Sequence, residues 1–165
     1  MIDKAQGSHC TDRIDGFNFN TPKGHPDIHG FMSKLQEDIN DPSLKFIYAY
    51  WTDPDHSLHN YGVDSEAVRH SVKEIDKCVK RVVDAINDVN GVLLITADHG
   101  NCEQMIDYKT GEPHTAHTTN PVPLAMIGLN KKLKEGRLAD LAPTMLDIMG
   151  LDKPAEMTGE SLLED

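Results

Sequence analysis

Residues Gly91–Met105 read GVLLITADHGNCEQM. The apolar run GVLLIT stops abruptly at an adjacent carboxylate and imidazole, Asp98 and His99, and then at Gly100. A short apolar run bounded by a glycine predicts a buried strand. Its end is the informative part, because an acid and a histidine buried side by side without a partner are costly. In open α/β sheets ligands gather at the carboxyl ends of strands. The partners of Asp98 and His99 are therefore to be sought at the ends of neighbouring strands.

Upstream of this run, Asp64–Asn90 carries Val68, Val72, Ile75, Val79, Val82, Val83 and Ile86 at three- and four-residue steps. That spacing predicts a long amphipathic helix, N-capped by Asp64 or Ser65. KFIYAYW (Lys45–Trp51) predicts a buried strand, and Gly30–Asn40, with Phe31, Met32, Leu35 and Ile39, a short helix. Downstream, VPLAMIGL (Val122–Leu129) predicts a third strand. LADLAPTMLDIMG (Leu138–Gly150) predicts a last helix, with Pro143 near its start and Gly150 at its C-terminal cap. Strands alternating with helices imply an α/β fold with a largely parallel sheet flanked by helices. Lys45–Tyr50, Gly91–Thr96 and Pro123–Ile127 are expected to run mutually parallel, by the right-handed crossover rule. So few parallel strands leave a thin sheet needing cover on both faces. Residues 1–165 are accordingly expected to form a single partial domain, completed by another segment or a second chain. Residues 1–26 are polar without periodicity and are expected to be weakly ordered; residues 27–165 form the metal-binding α/β part.

The net charge of −11 argues against a nucleic-acid or acidic-membrane partner and suits a site that holds cations. No apolar run is long enough to span a bilayer, and the N-terminus has no apolar signal-peptide core. The cytoplasm is the expected compartment. Cys10, Cys78 and Cys102 are odd in number and lack C-x-x-C spacing, so neither a disulfide framework nor a zinc–cysteine site is indicated.

Histidine is the unusual count: there are nine, and His56, His59, His70, His99, His114 and His117 share one stretch. The first strand runs into TDPDHSLH, with Asp55 and His59 four apart; the second ends on Asp98–His99; EPHTAHTTNPVP, with His114 and His117, precedes the third. Three groups at comparable strand ends can converge. Mixed carboxylate and imidazole donors suit manganese or zinc, whereas oxygen-only sets suit calcium or magnesium. His114 and His117 compete for one role. His56 and His70 are expected in solvent, Cys78 in a helix core, and Cys102 as a small residue beside the site with no base aimed at it. Met145 and Met149 are expected to fill the core.

TADHGNCEQM, PHTAHTTNPVPL, LADLAPTMLDIMGL and PAEMTGESL together resemble the C-terminal part of cofactor-independent (2,3-bisphosphoglycerate-independent) phosphoglycerate mutases, within the alkaline phosphatase superfamily. The resemblance runs from Lys45 to Leu163, with the motifs in family order. It implies an alkaline-phosphatase-like fold, of which this chain is the C-terminal half. It implies that Asp55, His59 and His117 bind one manganese ion and that Asp98 and His99 bind a second, with zinc as the alternative metal. The implied reaction is the glycolytic interconversion of 2- and 3-phosphoglycerate, a small phosphorylated substrate, through a two-metal phosphoenzyme mechanism. The Ser or Thr nucleophile and a further Asp of that mechanism have no match here. RIDGF (Arg13–Phe17) is too polar to be the strand that would carry them, and substrate-binding residues are likewise unmatched. The isolated chain is therefore expected to be inactive as a mutase.

At Leu58 the mutases carry glycine. IYAYWTDPDHSLHNYGVDS is similar instead to the type I phosphodiesterase and nucleotide pyrophosphatase branch, which makes a hydrolase of that kind the alternative enzyme. A catalytically silent metal-binding module is the alternative outside enzymes.

Overall fold

The computed structural model describes residues 27–164. The weakly ordered segment expected at residues 1–26, with Cys10 and RIDGF, lies outside the described residues. The chain divides into two compact units, one of residues 27–91 with His99–Pro121, the other of Val92–Asp98 with residues 122–164.

The first unit is helical. Helix α1 (Ile28–Ile39) begins where the Asp27 carboxylate accepts from the Gly30 amide at 3.0 Å. Helix α2 (Asp55–Tyr61) is short, and Asp53 Oδ1 accepts both the amide (3.0 Å) and the hydroxyl (2.9 Å) of Ser57 in its first turn. Helix α3 (Glu66–Asp88) is the long amphipathic element, capped by Ser65 Oγ, which accepts from the Val68 amide. Its C-terminus closes through Asn90, which takes a left-handed φ of 52°, with Gly91 N donating to Ile86 O at 2.9 Å. Both α1 and α2 pack on α3. Met32, Ile39, Leu58, Val68 and Cys78 form the buried core, and Arg81 ties α3 to α1 by donating to Gln36 Oε1 at 2.6 Å. The apolar stripe of α3 is only partly covered, since two helices cannot wrap it fully; Val72 stays 46% exposed.

Lys45–Trp51 does not form the expected strand. Strand backbone needs a neighbouring ladder for its N–H and C=O groups. Among the described residues no strand pairs with this segment, and Tyr48 and Tyr50 are exposed. Trp51 is instead held by its ring, 5.1 Å from that of Phe31.

The second unit holds strands β1 (Leu93–Thr96) and β2 (Leu124–Ile127). They pair antiparallel, Leu93 opposite Ile127 and Thr96 opposite Leu124, rather than parallel as expected. A parallel pair needs a crossover, usually through a helix. Residues 97–123 contain no helix and fold back on themselves through the antiparallel bridges Gly100–Thr118 and Ile106–Pro113, so the chain returns in the opposite direction.

A 3-10 turn (Leu138–Asp140) leads into helix α4 (Leu141–Ile148), with Pro143 in its first turn. Gly150, at φ 66°, closes it as Leu151 N donates to Leu146 O and Gly150 N to Asp147 O. Met149, expected in the core, is 41% exposed, because it lies past the last helical turn.

Two polar groups fasten the C-terminal segment. The fully buried Thr144 hydroxyl donates to Asp140 O at 2.6 Å and accepts from Leu162 N at 2.9 Å. The Asp140 carboxylate accepts from the amides of Arg137 (2.8 Å) and Glu160 (3.0 Å). Those backbone bonds hold its pKa below the ordinary carboxylate value.

Replacing Thr144 by Val keeps the shape but orphans a donor and an acceptor, an expected loss of about 1–3 kcal/mol in urea unfolding. For Asp140 the folded state favours the charged form. Its contribution is therefore complete above the unfolded carboxylate pKa of about 3.9 and is lost as pH falls through the lower folded value. Asp140→Asn is expected to lower the melting temperature at pH 7 and to reduce the acid-dependent part of the loss below about pH 4.

Candidate metal centre

Helix α2 does for Asp55 and His59 what an extended loop would not. Four residues apart on a helix, they lie one turn apart on the same face, and Asp55 Oδ1 is 3.2 Å from His59 Nε2. His117 arrives from the 113–120 loop, which is pinned where Thr118 N donates to Gly100 O at 2.8 Å. Its Nε2 lies 3.1 Å from Asp55 Oδ1 and 3.2 Å from His59 Nε2. One carboxylate oxygen and two imidazole nitrogens thus mark a triangle of nearly equal sides.

Such a triangle cannot be left to itself. A carboxylate accepts only, and a neutral imidazole has one bare nitrogen, so converging lone pairs repel unless a proton or a cation sits among them. An ion bound at about 2.0–2.2 Å in tetrahedral geometry holds its ligands about 3.3–3.6 Å apart. The observed 3.1–3.2 Å is slightly tighter than that, and within the reach of a shared proton as well as of an ion. Asp55 is one-third exposed, His59 and His117 rather more, so the donors face an open side.

His99 stands beside this triangle. Its ring stacks on that of His117, with centroids 3.6 Å apart and planes 13° apart. Ligand atoms of Asp55, His99 and His117 also fall within 4.8 Å of one another. The stack bears on this second grouping, because imidazole ligates along a lone pair in its ring plane. An ion between nearly parallel, stacked rings would meet at least one far out of plane. His59 and His117, with planes 60° apart, carry no such restriction. Asp98 belongs to the other compact unit, where it is exposed at the residue before His99.

Of the two histidines competing in the 113–120 loop, His117 meets Asp55 while His114 directs its Nδ1 at Gln104 O, 3.2 Å away. His56 and His70 are exposed, and His56 Nε2 faces Asn60 Nδ2 at 3.0 Å. Leu58 has no exposed surface and is a core residue of its unit.

Sequence reasoning missed the polar frame around the donors. Asn101, nearly buried, donates from Nδ2 to Asp55 Oδ1 at 2.7 Å. Glu103 accepts from the Thr118 hydroxyl, from Asn120 Nδ2 (3.0 Å) and from the Asn101 amide (2.5 Å). These bonds, the Thr118 hydroxyl foremost, hold its carboxyl at about 2. Nothing in the spacing or residue types of GNCE sets Asn101 and Glu103 apart from a solvated turn.

The chain matches the metalloenzyme superfamily over residues 15–153. It is 59% identical over 131 residues to the 2,3-bisphosphoglycerate-independent phosphoglycerate mutase of Acetivibrio thermocellus, covering 79% of this chain and 25% of that protein. Against the enzyme of the same name from Clostridium botulinum it is 47% identical over 143 residues, covering 84% and 28%. Its fold is similar to a crystal structure of Leishmania mexicana phosphoglycerate mutase at low cobalt concentration, with TM-score 0.71 and 25% identity over 82% of this chain and 28% of that one. The chain spans about a quarter of the length of the curated relatives it matches.

Burial raises the thiol pKa of Cys102, helped by the Asp55 and Glu103 charges, and burial likewise raises that of Cys78. Since the thiolate is the reactive form, both cysteines are expected to take up iodoacetamide at pH 8 several-fold more slowly than in the urea-unfolded chain. Peptide-resolved mass spectrometry reads the two sites separately.

Proposed function

The chain belongs to the metalloenzyme superfamily, and from that premise we propose that it carries most of the metal-binding half of a phosphoryl-transfer centre of the phosphoglycerate mutase kind. Asp55, His59 and His117 would hold one divalent cation, manganese by preference and zinc as the alternative. Asp98 and His99 would contribute to a second. The observation that carries the reading is the mutual 3.1–3.2 Å spacing of Asp55 Oδ1, His59 Nε2 and His117 Nε2. The similarity to proteins named phosphoglycerate mutase supports that substrate class over a phosphodiester. Leu58, where this chain departs from the mutase pattern, is fully buried and serves the core of its unit.

Cations in such a centre neutralise the charge of the phosphoryl oxygens and of the attacking and leaving oxygens. The residues do the holding. Asp55 supplies the one negative charge of its triad, and Asn101, bonded to Oδ1, fixes that carboxylate's orientation. His59 and His117 would ligate through their Nε2 lone pairs. The His99 ring, stacked on His117, limits the turning of that imidazole. No nucleophile is assigned; Ser8 and Thr11, the first places to seek one, lie outside the described residues.

A polypeptide of this sequence is expected to bind about one manganese ion per chain in a calorimetric titration. His59→Ala is expected to abolish saturable binding, and Asn101→Ala to weaken it about 10–100-fold. In a coupled assay the same polypeptide is expected to show no turnover of 3-phosphoglycerate, since loss of a nucleophile forfeits many orders of magnitude in rate. Saturable binding that survives His59→Ala would refute the ligand assignment. Robust turnover would mean that the nucleophile is present in the chain.

A further inference from the structure

We propose that Glu103 is a positioning residue that sets the distance between Asp55 and His117, by clamping the segment of Asn101 to the loop of His117. Each carboxylate oxygen serves one side. Oε2 accepts the backbone N–H of Asn101 at 2.5 Å, and the side chain of Asn101 donates to Asp55 Oδ1 at 2.7 Å. Oε1 accepts from the hydroxyl of Thr118, the residue directly after His117, and from Asn120 Nδ2 at 3.0 Å. One side chain therefore holds, through single intermediaries, both the acid and one of the imidazoles it faces.

The backbone repeats the link. Gly100 and Thr118 form an antiparallel bridge, with Thr118 N donating to Gly100 O at 2.8 Å. A methyl group at Gly100 would collide with Thr118 Oγ1 and Glu103 Oε1. The clamp thus closes over a residue with no side chain, and a bulkier residue there would force it open. Exposed carboxylates usually contribute little, because water satisfies them equally well. This one is ionised down to about pH 2 and spends its charge on donors from two separate chain segments. Charge-assisted bonds of that kind are the stronger class.

Helix α2 fixes Asp55 and His59 to each other without help, whereas the position of His117 depends on a loop. Any control over the open corner of the triangle must act on that loop, and Glu103 does. The consequence for metal affinity rests on the ligand reading above; the clamp itself does not.

The test compares the full chain with Glu103→Ala and Glu103→Gln by two readouts. The first, without metal, is the nuclear Overhauser contact between the His59 and His117 rings, whose centroids lie 5.3 Å apart. The contact is expected to vanish in Glu103→Ala, with the amide spectrum of α3 unchanged, and to return in part in Glu103→Gln, which keeps one acceptor oxygen. The second is manganese titration, in which Glu103→Ala is expected to bind about 10–100-fold more weakly, with Glu103→Gln between it and the native chain. A ring contact that persists in Glu103→Ala overturns the proposal whatever the metal does. Equal manganese affinity in Glu103→Ala and native chain overturns the positioning role even if the contact is lost. If the native chain binds no manganese, the ligand reading fails, and the ring contact alone decides the clamp.

Discussion

The arrangement of the first unit turns on the meeting of three electron-rich atoms, Asp55 Oδ1, His59 Nε2 and His117 Nε2, at 3.1–3.2 Å. Lone pairs brought this close share a proton or a cation, and the surrounding structure holds the three atoms in place. Three devices do so. Helix α2 sets Asp55 and His59 one turn apart, and Asn101 bonds the carboxylate from a nearly buried position. The Gly100–Thr118 bridge, with Glu103 across it, fixes the loop that brings His117. A triangle held in this way is ordered before any ion arrives.

What could be read in the sequence follows the range of the forces involved. Helix α3 was legible from Val68 through Ile86 because amphipathic periodicity is local, and so was its Ser65 cap. Strands β1 and β2 were legible from LLIT and LAMI, but not their relative direction, which depends on how residues 97–123 return. The Lys45–Trp51 strand failed because a strand exists only with a neighbour, which no window on a single segment can show. Helix α2 is too short for periodicity to reveal. Its signals were Asp53 and Pro54 ahead of it and Gly62 behind it.

The residues alone left His114 and His117 in competition; the grouping of Asp55, His59 and His117 was legible because four motifs in order resemble one family. Glu103 and Asn101 were not, since neither spacing nor residue type distinguishes them from a solvated turn. Their role depends on Thr118 and Asn120, fifteen and seventeen positions beyond Glu103, which only the folded loops bring near. Leu58 carries the converse lesson. Its departure from the mutase pattern pointed to the hydrolase branch as the alternative, and in the fold it is a filled core position.

Anomalous scattering from crystals of the manganese-soaked chain tests the central claim most directly. One strong peak is expected within about 2.0–2.3 Å of Asp55 Oδ1, His59 Nε2 and His117 Nε2 together. A peak held by other side chains, or well-ordered Asp55, His59 and His117 with no peak among them at saturating manganese, would contradict it.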